Sequence, residues 1–323
     1  SGACIGDRLP AALEAFAQIL LEPHLPAAEL ANVKQLALQE LRSIEDEPSS
    51  KVMVELSERF YPEPFGRSSL GTIDGVQAVT PEGLRNYFEN TFVPDRAIIG
   101  VSGSFDFETI AKTVQDRFGG WRGSSGSLRI GERSRTSKTY HLQRDTAQMQ
   151  IALAYPAASI DDDDYYVARV MTALLSGGMH GRLFIEVREK RGLVYSVRAS
   201  HSAARGRGGI FAYAGTTLDN AETCLSVMLT ELRGVATDIS DEELARAKAD
   251  IKSRLVIQSE SSSIRASQLV NDWWSMGRVR SLEEIKQAVD AVSKEAIVRY
   301  LERFPVSPVT LVTLGKKPLE LPQ

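Results

Sequence analysis

Residues 177–197 read GGMHGRLFIEVREKRGLVYSV, and this stretch decides the fold. Gly177 and Gly178 end one apolar helix. A short amphipathic helix follows, with Leu183, Phe184 and Val187 on one side and Arg188, Glu189, Lys190 and Arg191 on the other. Gly192 stops that helix, and a strand begins at Leu193, Val194 and Tyr195. Arg188 and Tyr195 are thereby held at a fixed spacing across a helix-to-strand turn.

Working outward, the sequence reads as one and a half copies of a unit. Residues 28–50, AELANVKQLALQELRSIEDEPSS, align with residues 242–264, EELARAKADIKSRLVIQSESSSI. Glu29 falls on Glu243, Leu30 on Leu244, Ala31 on Ala245, Lys34 on Lys248 and Leu41 on Leu255. Each is a long helical pattern ending in a polar, serine-containing break. A second helix follows in both, over 51–61 and over 264–276. VTPEGLRNYFENTF then parallels VSKEAIVRYLERFP, with Thr80 and Ser293 as N-caps. A β-branched strand closes each copy, at 97–101 and at 309–314. The second copy opens earlier in its own order. It has strands near 139–142 and 148–155, a helix over 161–176 led by four aspartates, the quoted stretch, and strands near 194–201 and 209–215. The first copy has only a strand tail in residues 1–6, followed by a helix over 7–21. By this comparison it lacks about 70 residues at its front, and the expectation is that the chain is truncated or that its natural form has lost that segment. Apolar helix faces are then expected to be left uncovered in it, with a tendency to associate.

Between the copies, residues 119–137 read GGWRGSSGSLRIGERSRTS, a composition typical of a linker. The expected organisation is therefore a half-domain over 1–122, a linker over 123–137 and a second half-domain over 138–323. The fold class is α+β, each half a mainly antiparallel sheet covered on one face by helices.

Composition sets the outer limits. A net charge of -4 over 323 residues argues against a dedicated nucleic-acid binder. No apolar run reaches the length of about 18 residues that a membrane span needs. Cys4 and Cys224 are too few for a disulfide framework and read as buried structural thiols. The four histidines are His24, His141, His180 and His201. None stands in a metal-ligand spacing; His24 reads as a surface residue, and His180 and His201 as structural or rim residues.

The 177–197 stretch, together with 29–48 and FVPDRAIIGVSGSFD at 92–106, resembles the pitrilysin/insulysin (inverzincin) family of zinc metallopeptidases, and within it the bacterial relatives of the mitochondrial processing peptidase. The resemblance covers nearly the whole chain. It implies two similar half-domains facing each other across a peptide-binding chamber. Family enzymes carry a His-x-x-Glu-His zinc motif on a helix of the first half, and this sequence contains no such motif. It also implies a third ligand, a glutamate, on a later helix. QELRSIEDEP fits that pattern with Glu40 at the ligand position, and Glu40 aligns with Arg254 in the second copy, so only one half would carry a ligand. One carboxylate alone is a weak zinc site. The expectation is zinc in the intact protein and none bound by this chain by itself.

Arg188 and Tyr195 are the substrate-binding residues that the resemblance implies, contacting the peptide backbone near the scissile bond. A guanidinium fork or a phenolic hydroxyl can donate to a peptide carbonyl. Arg182 fits the family pattern too, with a packing role between the two short helices as the equal alternative. Three readings follow. The first is a fragment of a zinc-dependent metalloendopeptidase acting on peptides or unfolded polypeptides, inactive as it stands. The alternative is a non-catalytic peptide-binding or structural subunit that pairs with an active family member. The third is a structural scaffold without peptide binding. A peptide substrate and a homodimer or heterodimer with a family member are the expected partners, without nucleic acid. The sequence fixes no compartment, and the resemblance favours a bacterial cytoplasmic or periplasmic one.

Overall fold

The computed structural model describes residues 1–126, 131 and 136–322. In chain order the helices are α1 (Leu9–Leu21), α2 (Leu30–Asp46), α3 (Pro48–Phe60), α4 (Ile73–Ala78), α5 (Pro81–Thr91), α6 (Phe107–Phe118), α7 (Tyr165–Ser176), α8 (Ala221–Arg233), α9 (Asp241–Ser259), α10 (Ser262–Met276), α11 (Leu282–Asp290) and α12 (Lys294–Arg303). The strands are β1 (Lys138–Gln143), β2 (Met149–Pro156), β3 (Val194–Ala204), β4 (Arg207–Thr216) and β5 (Thr310–Gly315). The α+β class expected from the sequence is found. The chain forms two compact units, Ser1–Arg42 with Leu70–Arg129 and Gln258–Trp274, and Ser43–Ser69 with Ile130–Ile257 and Ser275–Gln323. Residues 127–130 and 132–135 of the expected linker lie outside the described residues.

The first unit is helical. Leu13 and Ala17 of α1 and Ile110 of α6 are buried, and Arg117 on α6 pairs with Glu14 on α1 at 2.7 Å. The strand expected at 97–101 is not formed. Those residues form no regular element, and the described residues of this unit hold no strand for them to pair with, where a ladder needs two. Instead they pack against α10, where a methyl on Gly100 would lie 2.6 Å from Val270 Cγ2 and 2.8 Å from the Ala266 carbonyl oxygen. Residues 1–5 likewise form no regular element and are exposed, so Cys4 is exposed rather than buried, whereas Cys224 on α8 is buried as expected. Apolar side chains stay in solvent on several helices of this unit, including Ile19 at 71% and Leu36 at 67% exposure.

The second unit holds the sheet, in the order β1-β5-β2-β4-β3. β1 runs parallel to β5, and every other neighbouring pair is antiparallel. β2 and β4 are buried along almost their whole length, which requires cover on both faces rather than on one. One face carries Ile151, Leu153, Ile210 and Ala212 against α7, α8, α11 and α12. The other carries Ala152, Ala154, Phe211, Tyr213, Val312 and Leu314, and α3 lies over it through Val52, Leu56 and Phe60. A chain of charges runs along α3: Arg144 pairs with Glu45 at 2.6 Å, Glu45 with Lys51, Lys51 with Glu55 at 3.0 Å, and Glu55 with Arg59. Arg59 then stacks over the Tyr140 ring on β1.

Local signals place most helix ends. Thr80 accepts from the Gly83 N–H and Ser293 from the Ala296 N–H, each at about 3 Å, as capping serines and threonines do. The aspartate run behaves differently from the expected helix start at 161. α7 begins only at Tyr165, because Asp162 accepts from the Asp164 N–H in a local turn and Arg303 clamps Asp162 and Asp164 at 2.7 Å each.

Candidate functional site

The quoted stretch folds into a compact turn of chain between α7 and β3. Residues Phe184–Glu189 form a π-helical turn, in which the Lys190 N–H donates to the Ile185 carbonyl at 2.9 Å. Leu183 and Val187 are fully buried beneath it. Gly192 sits at φ 60°, a conformation that favours glycine, and its N–H donates to the Arg188 carbonyl at 2.9 Å. The next residue, Leu193, donates to the Val187 carbonyl at 3.0 Å, and its own carbonyl accepts from the Thr216 hydroxyl at 2.7 Å. The helix end and the strand start are thus fixed to each other by two hydrogen bonds, and the third ties the strand start to β4.

β3 is an edge strand, and its register against β4 shifts between Val194 and Ser196, which pair with Thr216 and Gly215. Tyr195 is the extra residue of this bulge. Bulges re-aim a side chain out of the ladder, and Tyr195 is 78% exposed. Arg188 comes across the turn to stack on it, with its guanidinium carbon 4.9 Å from the Tyr195 ring centroid and 5.0 Å from that of Phe184. Arg188 and Tyr195 are therefore in contact, next to an open end of the edge strand. Glu186, on the same turn, is occupied: hydrogen bonds from Lys190 and Arg191 hold its carboxyl below the usual carboxylate range.

Arg182 takes the packing role. Its guanidinium forms two bonds to the Glu243 carboxylate, at 2.6 and 2.9 Å, and donates to the Thr237 carbonyl at 2.9 Å. The bond from Arg182, set against partial burial, keeps the Glu243 carboxyl below its ordinary value. The clamp ties the start of the π-helical turn to the start of α9.

Along β3 lie residues that sequence reasoning did not single out. Arg198 is exposed and stacks over Tyr213 of β4, 4.5 Å from the ring centroid. The Tyr213 hydroxyl donates to Gln150 at 2.6 Å, and burial raises its pKa, so the ring under Arg198 is a neutral phenol. The signal was present in the alternation of β3, where Ser196, Arg198, Ser200 and Ser202 all face solvent. Further along, the Ala199 N–H donates to the Ser176 hydroxyl at 3.0 Å, which covers the edge there.

Glu40 is exposed on α2 and belongs to the other unit. A catalytic zinc site takes three protein ligands. No group of three or more His, Cys, Asp and Glu side chains capable of holding a metal ion exists among the described residues. The residues present therefore do not fit a zinc ion, and no chemistry is assigned to one here. His24 and His180 are exposed. His141 bonds Thr313 at 2.9 Å, and His201 bonds the Ala158 carbonyl at 2.8 Å. No described helix is long and apolar enough to cross a membrane.

Comparison with known proteins agrees with this architecture. An uncharacterized zinc protease of Mycobacterium bovis is 26% identical over 307 residues, which is 92% of this chain and 70% of that protein. The uncharacterized zinc protease YmxG of Bacillus subtilis is 26% identical over 288 residues, covering 88% of this chain and 70% of its own length. Among solved structures, a peptidase M16 inactive domain from Pseudomonas fluorescens has the same fold, with a TM-score of 0.83 at 20% identity over 98% of this chain and 77% of that one. A protease from Helicobacter pylori gives 0.82 at 18% identity, over 96% and 77%. The family model described as the peptidase M16 inactive domain matches residues 78–251, more than half of the sequence and including the whole Arg188–Tyr195 turn, so this chain belongs to the M16 peptidase family.

Proposed function

We propose that this chain forms the peptide-holding side of a zinc-dependent metalloendopeptidase, with Arg188 and Tyr195 contacting the backbone of an extended peptide. The observation that carries the reading is the aim of Tyr195. A large aromatic residue at a strand start is ordinarily packed, yet here a bulge turns it to solvent and an arginine stacks on it. Stacking fixes the guanidinium plane and leaves its N–H donors for a carbonyl oxygen, and the phenol adds another donor. Glu40 is proposed to stand at the third-ligand position. The histidines and the general base would come from sequence outside these 323 residues, and the names of the relatives support zinc as the metal of the whole enzyme. A homodimer, or a heterodimer with a family member, is the proposed assembly.

One observation favours a second reading, a non-catalytic peptide-binding subunit: the matched family model is described as an inactive domain. Mixing the chain with a metal-binding family member and following peptide hydrolysis separates the two, since only a subunit would restore or raise activity.

The common part of both readings is tested by fluorescence anisotropy with a fluorescein-labelled, uncharged, unstructured decapeptide. Arg188→Ala and Tyr195→Phe should each weaken binding about threefold to tenfold, the range of one hydrogen bond. Wild-type affinity in both variants would end the proposal.

A further inference from the structure

We propose that Arg198 selects peptides that carry an acidic side chain two to three residues from the backbone group held at Tyr195. The inference rests on the peptide-holding reading above and adds the charge of the substrate to it.

The chain as a whole is acidic, with a net charge of -4, but the β3–β4 hairpin is not. Residues 194–216 contain Arg198, Arg205 and Arg207 and no Asp or Glu. The three arginines differ in what they already touch. Arg207 lies over the Phe65 ring at 3.2 Å and is half-buried. Arg205, at the hairpin turn, lies near the Asp161 carboxylate. Arg198 is exposed and stacks on Tyr213, and no carboxylate pairs with it among the described residues. Glu47, whose charge acts on that ring, is engaged as the cap of α3, where it accepts from the Ser49 hydroxyl at 2.8 Å and from the Ser49 N–H at 3.4 Å. Stacking on a neutral, buried ring occupies the flat face of the guanidinium and leaves its in-plane donors for a bidentate carboxylate.

Position then fixes the spacing. A strand rises about 3.3 Å per residue, and with Tyr195 the extra residue between Val194 and Ser196, Arg198 lies two to three rises, about 7–10 Å, from it along β3. An extended peptide lying beside this edge has the same rise and no bulge, which puts the side chain opposite Arg198 two to three residues from the group held at Tyr195. Directly opposed residues have Cβ atoms about 5 Å apart, within reach of an Arg–carboxylate pair. The flanking Ser196 and Ser200 are small and neutral and do not oppose this choice. The run ends just beyond Arg198, because the Ser176 hydroxyl already occupies the Ala199 N–H.

The test is an aspartate scan. A labelled decapeptide of neutral residues is made in ten versions, each with one Asp, and its Kd for the whole 323-residue chain is measured by anisotropy at low salt. One position should bind about twofold to fivefold more tightly than the neutral parent, the range for a cross-strand charge pair. In Arg198→Glu that preference should vanish, and a lysine at the same position should take it over. The gain should also shrink at 0.5 M salt. A flat aspartate scan, with a neutral parent that still binds and still depends on Arg188 and Tyr195, overturns the role of Arg198 and leaves the peptide-holding reading intact. An optimum that survives Arg198→Glu also overturns it. Absence of binding by every peptide overturns both.

Discussion

Replacing Phe60 and Gly209 by alanine, singly and together, measures how closely α3 seats on the second face of the sheet. Phe60 is 3% exposed, and its ring stands edge-on to Phe211, with centroids 5.1 Å apart and planes at 79°. Truncating it removes a buried ring and leaves a cavity between helix and sheet, at a cost of about 3–5 kcal/mol. Around 1 kcal/mol of that is the aromatic pair itself. Gly209 is the floor beneath the ring, since a methyl added there would lie 2.5 Å from Phe60 Cε1 and 3.1 Å from Phe211 Cε2. Gly209→Ala alone therefore overpacks the contact, at about 1–3 kcal/mol. In Phe60→Ala the new methyl enters the vacated space, with only Phe211 still crowding it. The double variant should then be about 1–2 kcal/mol more stable than the sum of the single costs. Urea titration followed by circular dichroism gives the four stabilities, and an unchanged slope across them licenses the comparison. Costs that add to within about 0.5 kcal/mol would refute the packing of Phe60 on Gly209.

Other expectations follow from the site and its supports. Arg182→Ala should cost about 2 kcal/mol, because it leaves the half-buried Glu243 carboxylate and the Thr237 carbonyl without their donor, and Arg182→Lys should recover only part of it; urea titration reads both. Tyr195→Phe should change stability by less than about 0.5 kcal/mol, since the hydroxyl it removes belongs to an exposed ring. Arg188→Ala removes a half-buried guanidinium stacked on Phe184 and Tyr195 and should cost about 0.5–1 kcal/mol, small enough to leave a folded chain for the binding assay. Burial, opposed by the bond to the Ala158 carbonyl and aided by Arg169, lowers the pKa of His201. The unfolded chain therefore takes up a proton near pH 6.5 that the native histidine resists, and stability falls as pH drops from about 6.5 toward the lower native value. His201→Gln, which can still donate to Ala158, should show a smaller drop in Tm between pH 7.5 and 5.5 than the wild type.

Much of this was legible in the residues. The helix-glycine-strand grammar of 177–197 gave a short helix, its stop at Gly192 and the strand start, because each rests on local signals; that the helix is a π-helical turn and that Arg188 stacks on Tyr195 are findings of the structure. The capping residues Thr80 and Ser293 were equally local. What escaped depended on partners distant in sequence. The segment at 97–101 has the composition of a strand, yet it pairs with no strand among the described residues of its unit. Asp161 to Asp164 look like a helix start until Arg303, far along the chain, draws two of them into a turn. Arg198 carried no motif; the alternation of β3 puts it on the solvent side, and the position of β3 at the sheet edge was not legible from that alternation. The bulge that exposes Tyr195 was likewise invisible, since it is a property of two strands and not of one.

The seating of α3 bears on how the polypeptide could be divided. The boundary that its repeat suggests, at 123–137, assigns α3 to the first piece, whereas Val52, Leu56 and Phe60 complete the hydrophobic cover of β2, β4 and β5 in the second. A fragment starting at residue 138 would present Phe211, Tyr213, Val312 and Leu314 to water and should precipitate or bind hydrophobic dyes. A single cut by a protease within 123–137 is a different matter. The two products would remain clasped by a helix that one donates to the other, comigrating on gel filtration and parting only in denaturant, so that a nicked preparation would pass for an intact one.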